Sequence, residues 1–187
     1  MPYDPLTLIF RWQPPARLHG AGAMSLAARL VFASVLLRFF LQSAATKIGP
    51  GGLTDGAYYQ ILPKMFEAAG YDAAALAWPW HVVVAAGTVA ELALPLMLVT
   101  GLATRVAALG LLGFFAVMSL TDVYGHMVDG ATIGLPFDAD PYGKILDQRL
   151  LWAMIVAVPL WLGGGAVSLD RLIAPRLRRW GAPPARA

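Results

Sequence analysis

Four long apolar stretches set the limits on what this chain can fold into. They run from Leu26 to Thr46, from Val82 to Thr100, from Val106 to Leu120 and from Leu150 to Leu162, the last leading into Gly163, Gly164 and Gly165. A helix needs about 20 mostly apolar residues to cross a hydrocarbon core about 30 Å thick. The third and fourth stretches reach that length by drawing in their flanks, so the expected spans are residues 26–46, 82–100, 104–122 and 149–166. Core helices of a soluble bundle would keep a polar face at helical spacing. The strings "LLGFFAVMSL" and "WAMIVAVPLWLGGG" keep none, and 58% hydrophobic against 13% charged residues is not the balance of a soluble domain. The expectation is a single all-α domain, an integral membrane four-helix bundle.

The small residues of "QSAAT" after the first stretch do not make it a cleaved signal peptide. The stretch starts far from Met1, is long and contains Arg38, so it reads as a retained helix. The absence of cysteine excludes disulfides, Cys-bound iron–sulfur clusters, thiolate zinc sites and any dithiol step by this chain alone. Redox chemistry would have to come from a bound cofactor or a partner.

With four spans both ends face one side of the bilayer. That side gathers Arg11, Arg17, Arg29, Arg105, Arg171, Arg176, Arg178, Arg179 and Arg186, against Lys47, Lys64, Lys144 and Arg149 on the other. The positive-inside rule then places both termini in the cytoplasm. Trp78, Trp80 and Trp152 fall at the outer boundary and Trp12, Trp161 and Trp180 at the inner one, as an interfacial belt would. The basic tail, residues 167–187, with its "RLRRW", reads as an anchor on the anionic leaflet. No stretch interleaves basic and aromatic residues over a soluble face, so nucleic acid is not an expected partner. The N-terminal "LTLIFRWQPPARLHGAG" reads as a short interfacial segment broken at Pro14 and Pro15.

Two outer loops remain, residues 48–80 and 123–148. In the first, Thr54 or Asp55 is placed to cap a short helix through "AYYQIL", and Pro63 to start another through "PKMFEAAG". The loop reads as a lid or as an interfacial connector. The second, "TDVYGHMVDGATIGLPFDADPYGKILDQR", is longer than most structureless connections, which suggests a functional or partner surface. His126, Met127 and Asp129 are too few and too mixed to read as a metal site.

Charge inside the spans is the sharper signal. Measured at ~1.5 Å per residue from the inner ends, Arg38 and Glu91 lie at about the same depth on consecutive antiparallel helices. An Arg38–Glu91 ion pair facing the bundle interior is therefore expected. It would mark a ligand site or fix helix register. Gln42, one turn outward from Arg38, would extend the cluster. Lys47, His81, Tyr58 and Tyr59 would complete an outward-opening polar pocket suited to a quinone headgroup or another small ligand. His126, Asp147 and Arg149 are further candidates from the second loop. Ala86 with Ala90, Gly87 with Glu91, and Gly110 with Gly113 and Phe114 are expected to let helices approach closely, and Pro95 and Pro159 to kink theirs.

The segments "RLVFASVLLRFFLQSAATKIG", "ELALPLMLVTGLATRVAAL" and "GGGAVSLDRLI" resemble the DoxX family of small four-helix membrane proteins over roughly residues 26–173. Glu91, Thr104, Arg105, Ser168 and Asp170 match the family pattern, Arg29 matches the Arg that begins its first span and Lys47 the Lys that ends it. The family's usual Gly shortly before that Lys is Ala44 here, and the first span is about a turn longer. The resemblance implies a four-helix bundle in the bacterial inner membrane. The family is named for a subunit of a thiosulfate:quinone oxidoreductase, with relatives linked to membrane oxidoreductase complexes, sulfur or thiol stress and operons for metal-binding peptides. Three roles follow as expectations: a membrane subunit of a redox complex with quinone as a candidate cofactor and a soluble or membrane redox partner; a carrier of a small ligand, thiol or metal species; or a structural anchor. An oligomer is compatible with each.

Overall fold

The computed structural model describes residues 20–165 and 167–173. The N-terminal segment with Trp12, Pro14 and Pro15, and the tail with Arg176 to Arg186 and Trp180, lie outside them. Among the described residues, four helices are long and apolar enough to cross a membrane. They are α1 (Ala21–Lys47), α4 (Trp78–Thr100), α5 (Thr104–Gly125) and α7 (Lys144–Leu162). Between α1 and α4 come a two-residue hairpin, β1 (Ile48–Gly49) with β2 (Gly52–Leu53), then α2 (Asp55–Ile61) and α3 (Pro63–Ala68). A single turn, α6 (Gly130–Ile133), interrupts the second loop.

α4 spans 23 residues, about 35 Å at ~1.5 Å per residue, which covers the hydrocarbon core. α1 starts earlier than the apolar pattern suggested, because "AGAMS" holds no proline and its alanines and methionine favour helix, which outweighs Gly22. α7 stops at Leu162 instead of running to residue 166, since Gly163 turns out of the helix at φ 77°. At its other end α7 gains "KILDQ" as a π-turn, Lys144–Gln148. π-turns also end α5, at Thr121–Gly125, and interrupt α1 at Ala33–Leu37.

The four helices form a closed ring in which α1 packs on α7 and α4, and α5 on α4 and α7. α1 runs diagonally, its first half against α7 and its second half against α4. Its buried residues are Ser25, Arg29, Phe32, Leu36, Phe40, Ala44 and Lys47, spaced by three or four, which makes one stripe along the helix. Phe32, Leu36 and Phe40 meet Leu98 of α4, Ala107, Ala108, Leu111 and Phe115 of α5, and Val156 of α7 in the central core. The Phe40 ring lies 5.9 Å from Phe114 and 6.1 Å from Phe115, separations typical of favourable aromatic contacts. Trp152, near the loop end of α7, packs against Phe39 and Phe115. Trp78 and Trp161 are exposed near opposite ends.

Candidate functional site

The bundle has two unlike ends. At the end holding Gly20, the 101–103 turn and residues 163–173, one arginine and one aspartate tie the chain together. Arg29 is buried, and its guanidinium donates to the carbonyls of Leu98 (2.9 Å), Val99 (2.7 Å), Gly164 (2.5 Å) and Val167 (2.7 Å). The last carbonyls of a helix have no partner within it. One cation therefore closes the end of α4 and the glycine-rich exit from α7 together.

Asp170 does the converse for donors. Its carboxylate accepts from the backbone N–H of Ala103 (2.6 Å) and Thr104 (2.9 Å) and from the Thr104 hydroxyl (2.7 Å), capping α5 from a distant part of the chain. Burial raises the Asp170 pKa, but the Thr104 and Ala103 hydrogen bonds with the Arg29 charge outweigh it, leaving it below the usual carboxylate range. Gly101, at φ 71°, ends α4 in the left-handed conformation. A Cβ there would lie 2.6 Å from Ser168 Cβ and 2.8 Å from the Arg29 guanidinium, so the turn has room only for glycine. These contacts give "GLATR" and "SLD" a physical role: they are the two halves of one clasp.

The loop end is built differently. Glu91 is buried as expected, but its partner is Lys47, whose ammonium lies 2.7 Å from Glu91 Oε2 with both side chains about 95% buried. Arg38 is exposed, on the side of α1 away from the Phe32, Leu36, Phe40 and Ala44 stripe, and so is Gln42. The expected Arg38–Glu91 pair does not form, for two geometric reasons. Arg38 follows Leu36 by two positions, about 200° around the helix from the buried stripe. Side chains also lean toward the N-terminus of their helix, so residues level on antiparallel helices lean apart. Lys47, further along α1, leans back to where Glu91 leans outward.

The Lys47 ammonium is steadied by Ser43, donating to its Oγ (2.8 Å) and carbonyl (3.4 Å). Apart from the charge contact, Glu91 Oε2 has no hydrogen bond among the described residues. A second ion pair lies nearer the loops. Arg149, at the start of the α-helical part of α7, pairs with Asp122 in the terminal π-turn of α5, and donates to Ser119 Oγ at 3.0 Å. Arg149 Nε is buried without a partner among the described residues.

Both ion pairs line one cavity of about 580 Å³ bounded by α1, α4 and α5 and roofed by α2. Ser43, Gln60, Thr121 and His126 supply its other polar side chains, and Phe39, Leu94, Phe114 and Val117 are among its apolar walls. The residues expected to bring helices close, Ala86, Gly87, Ala90, Gly110 and Gly113, also line this space. A Cβ on Gly113 would meet nothing within 4 Å. At Gly110 the expected close approach of α5 to α4 is present, since a Cβ there would lie 2.8 Å from Leu94, and at Gly87 one would lie 3.2 Å from Ile61 of α2; toward Gly113 the small side chain leaves room instead.

Among the candidates, Glu91, Lys47, His126 and Arg149 thus share the cavity. Tyr59 leans on His126 with ring centroids 5.3 Å apart. Tyr58 and His81 pair with each other instead, the Tyr58 hydroxyl 2.6 Å from His81 Nδ1, in a small cluster with Ala57, Phe66 and Val84 that pins α2 and α3 to α4. Asp147 accepts from the Gly143 N–H at 2.8 Å and closes its own loop. Thr54 does precede α2, but its hydroxyl donates to the Thr46 carbonyl (2.8 Å) without capping the helix.

Sequence reasoning missed Asp122, Ser119, Ser43 and Gln60. Asp122 and Ser119 are one turn apart at the end of one span, facing Arg149 at the start of the next. The depth comparison applied to Arg38 would have found them. No family model matches the chain, and no curated protein or solved structure matches it.

Proposed function

We propose that this chain is a DoxX-like multi-pass protein of the bacterial inner membrane with cytoplasmic termini, acting as the membrane subunit of a redox or quinone-linked complex. The observation that carries the reading is the cavity at the loop end, apolar in its walls and polar at one buried and one half-buried ion pair. A quinone has the matching chemistry: a flat apolar ring and tail, and carbonyl oxygens that accept hydrogen bonds. Lys47, Gln60, Arg149 and His126 offer donors, and the Glu91 carboxylate would take a proton from a quinol hydroxyl. The electrons would pass to a partner subunit, since the chain has no cysteine to hold a thiol couple or Cys-bound cluster.

A carrier would need a path onward to the other end of the bundle. That half is filled by Phe32, Leu36, Leu98, Leu111 and Val156, each at most 2% exposed, and closed by the Arg29 clasp. This packing favours a binding pocket over a through-path.

The test uses the full chain in lipid nanodiscs and a short-tailed benzoquinone as probe. Saturable binding, weakened at least tenfold in both Glu91→Gln and Gly113→Leu, is the expected result. Absence of binding by the folded wild type, or binding unchanged in both variants, would overturn it. Probe-dependent uptake into liposomes would favour the carrier.

A further inference from the structure

Arg38 marks a second feature that the ligand pocket does not use. The Arg29 clasp sits where α4 and α7 end, and Arg38 lies about 13 Å further along α1 at ~1.5 Å per residue. In a hydrocarbon core about 30 Å thick, that is near the midplane. Its side chain is exposed and makes no ion pair or hydrogen bond among the described residues. An arginine at that depth is costly, and such residues as a rule face a bundle interior or a paired charge.

The surroundings of Arg38 form a seam. Ala27, Val31, Ser34, Arg38, Leu41 and Ala45 are all exposed and follow one another by four, three, four, three and four. That is the spacing of a helix–helix contact line with a left-handed crossing. Small residues at Ala27, Ser34 and Ala45 allow close approach on either side of the charge, and Gln42 flanks it. α1 exposes apolar residues as well, among them Leu30, Val35 and Phe39, but the outward faces of the other three helices carry no exposed charge or amide at this depth. α4 shows Val82, Val83, Val89, Leu92 and Leu96, α5 shows Val106, Leu109 and Val117, and α7 shows Leu150, Leu151 and Met154. Apolar faces of that kind suit lipid.

We propose that the Arg38 seam of α1 docks a transmembrane helix of a different polypeptide that places a carboxylate opposite Arg38. Charge complementarity decides the occupant. A second copy related by a twofold axis along the membrane normal would set Arg38 against Arg38, two like charges in a low-dielectric medium. A partner carboxylate instead gives the fork-to-carboxylate pairing that best offsets desolvation of both groups. The bundle is then one part of a larger membrane assembly, with α1 sharing its two faces between its own core and the partner.

The experiment uses the full chain in lipid vesicles with a dye on Lys64→Cys, a unique thiol in a chain without cysteine. The probe is a synthetic Leu/Ala transmembrane helix with one Glu at its midpoint, labelled as energy-transfer acceptor, beside the same helix with Gln. The Glu helix should associate at least tenfold more tightly than the Gln helix. The preference should persist in Arg38→Lys and vanish in Arg38→Leu, with unchanged circular dichroism. No preference for Glu, or a preference retained in Arg38→Leu, would overturn the proposal. So would disulfide-linked dimers of a separate Ser34→Cys variant, which assign the seam to a second copy.

Discussion

The clasp at one end of the bundle and the ion pairs at the other both bury charge, yet they satisfy it in opposite ways. Arg29 and Asp170 direct their hydrogen bonds mainly at backbone: four carbonyls for the cation, and two N–H groups beside the Thr104 hydroxyl for the carboxylate. Those backbone groups cannot be mutated away, so the charges that serve them are structural. Lys47 and Glu91 serve mainly each other, beside open space, and Glu91 Oε2 keeps acceptor capacity that no described residue fills. A buried pair that completes no backbone is a weak source of stability. The difference separates a fastening from a site.

The largest effect should come from breaking the fastening. Arg29→Met would leave four carbonyls at the ends of α4 and α7 without their donor. Hydrogen bonds to charged groups contribute about 1.5–3 kcal/mol each, not additively, so a loss of at least ~3 kcal/mol is expected. Thermal unfolding in detergent would read this as a large drop in midpoint. An unchanged midpoint would mean that the clasp does not hold the end closed.

The matched experiment at the site is the double replacement Lys47→Met with Glu91→Leu. Replacing a buried ion pair with apolar residues of similar volume is often neutral or stabilising by about 1–4 kcal/mol. The double variant should keep or raise the unfolding midpoint while losing the quinone probe. Glu91→Gln alone should fall below it in stability, because it strands the Lys47 ammonium in the interior. If the double variant unfolds as readily as Arg29→Met, the two ends are alike and the distinction fails.

Glycine gives a gentler separation of space from strength. Gly113→Leu adds bulk where a Cβ meets nothing within 4 Å, and it removes a helix-interior glycine worth about 0.8–1.0 kcal/mol against Ala. Stability should hold or rise slightly while probe binding falls. Gly101→Ala, at φ 71° against Arg29 and Ser168, should do the reverse and destabilise without touching the cavity.

How far the sequence revealed these regions follows from what a linear pattern encodes. Apolar length placed all four spanning helices, because crossing a bilayer is a requirement on consecutive residues. The burial of Glu91 was legible for the same reason. Its partner was not, because choosing between Arg38 and Lys47 needs the rotation of α1 and the lean of its side chains as well as depth. The stripe Phe32, Leu36, Phe40, Ala44 could have supplied the rotation, but α1 is apolar on most sides and the periodicity was faint. The linear pattern sets Tyr58 and His81 beside the pocket, and only the path of α2 over α4 shows them facing each other. The roles of Arg29 and Asp170 were illegible, since their partners are backbone groups that no residue type announces.

The smallest effect, and the one that tests the clasp without altering its shape, is acid. The Asp170 carboxyl titrates below its ordinary range in the folded chain, because its hydrogen-bond donors and Arg29 favour the charged form. A depressed folded pKa means that the unfolded chain binds the proton more readily, so stability rises with pH where the two states differ. The contribution is therefore complete above the unfolded carboxylate value of about 3.9 and declines as pH falls through the folded value. Asp170 is only partly shielded from solvent, so the shift in midpoint should be small and further reduced by salt. Asp170→Asn should lower the midpoint at neutral pH and flatten that part of the acid limb. It keeps an acceptor for the Thr104 hydroxyl but loses the charge that binds two backbone N–H groups at once. The gap between the unfolding midpoints of wild type and variant should be constant above the unfolded carboxylate value of about 3.9 and narrow as pH falls below it. Parallel curves with a constant offset would show that Asp170 holds α5 by shape alone, and the contrast between the two ends would then rest on Arg29.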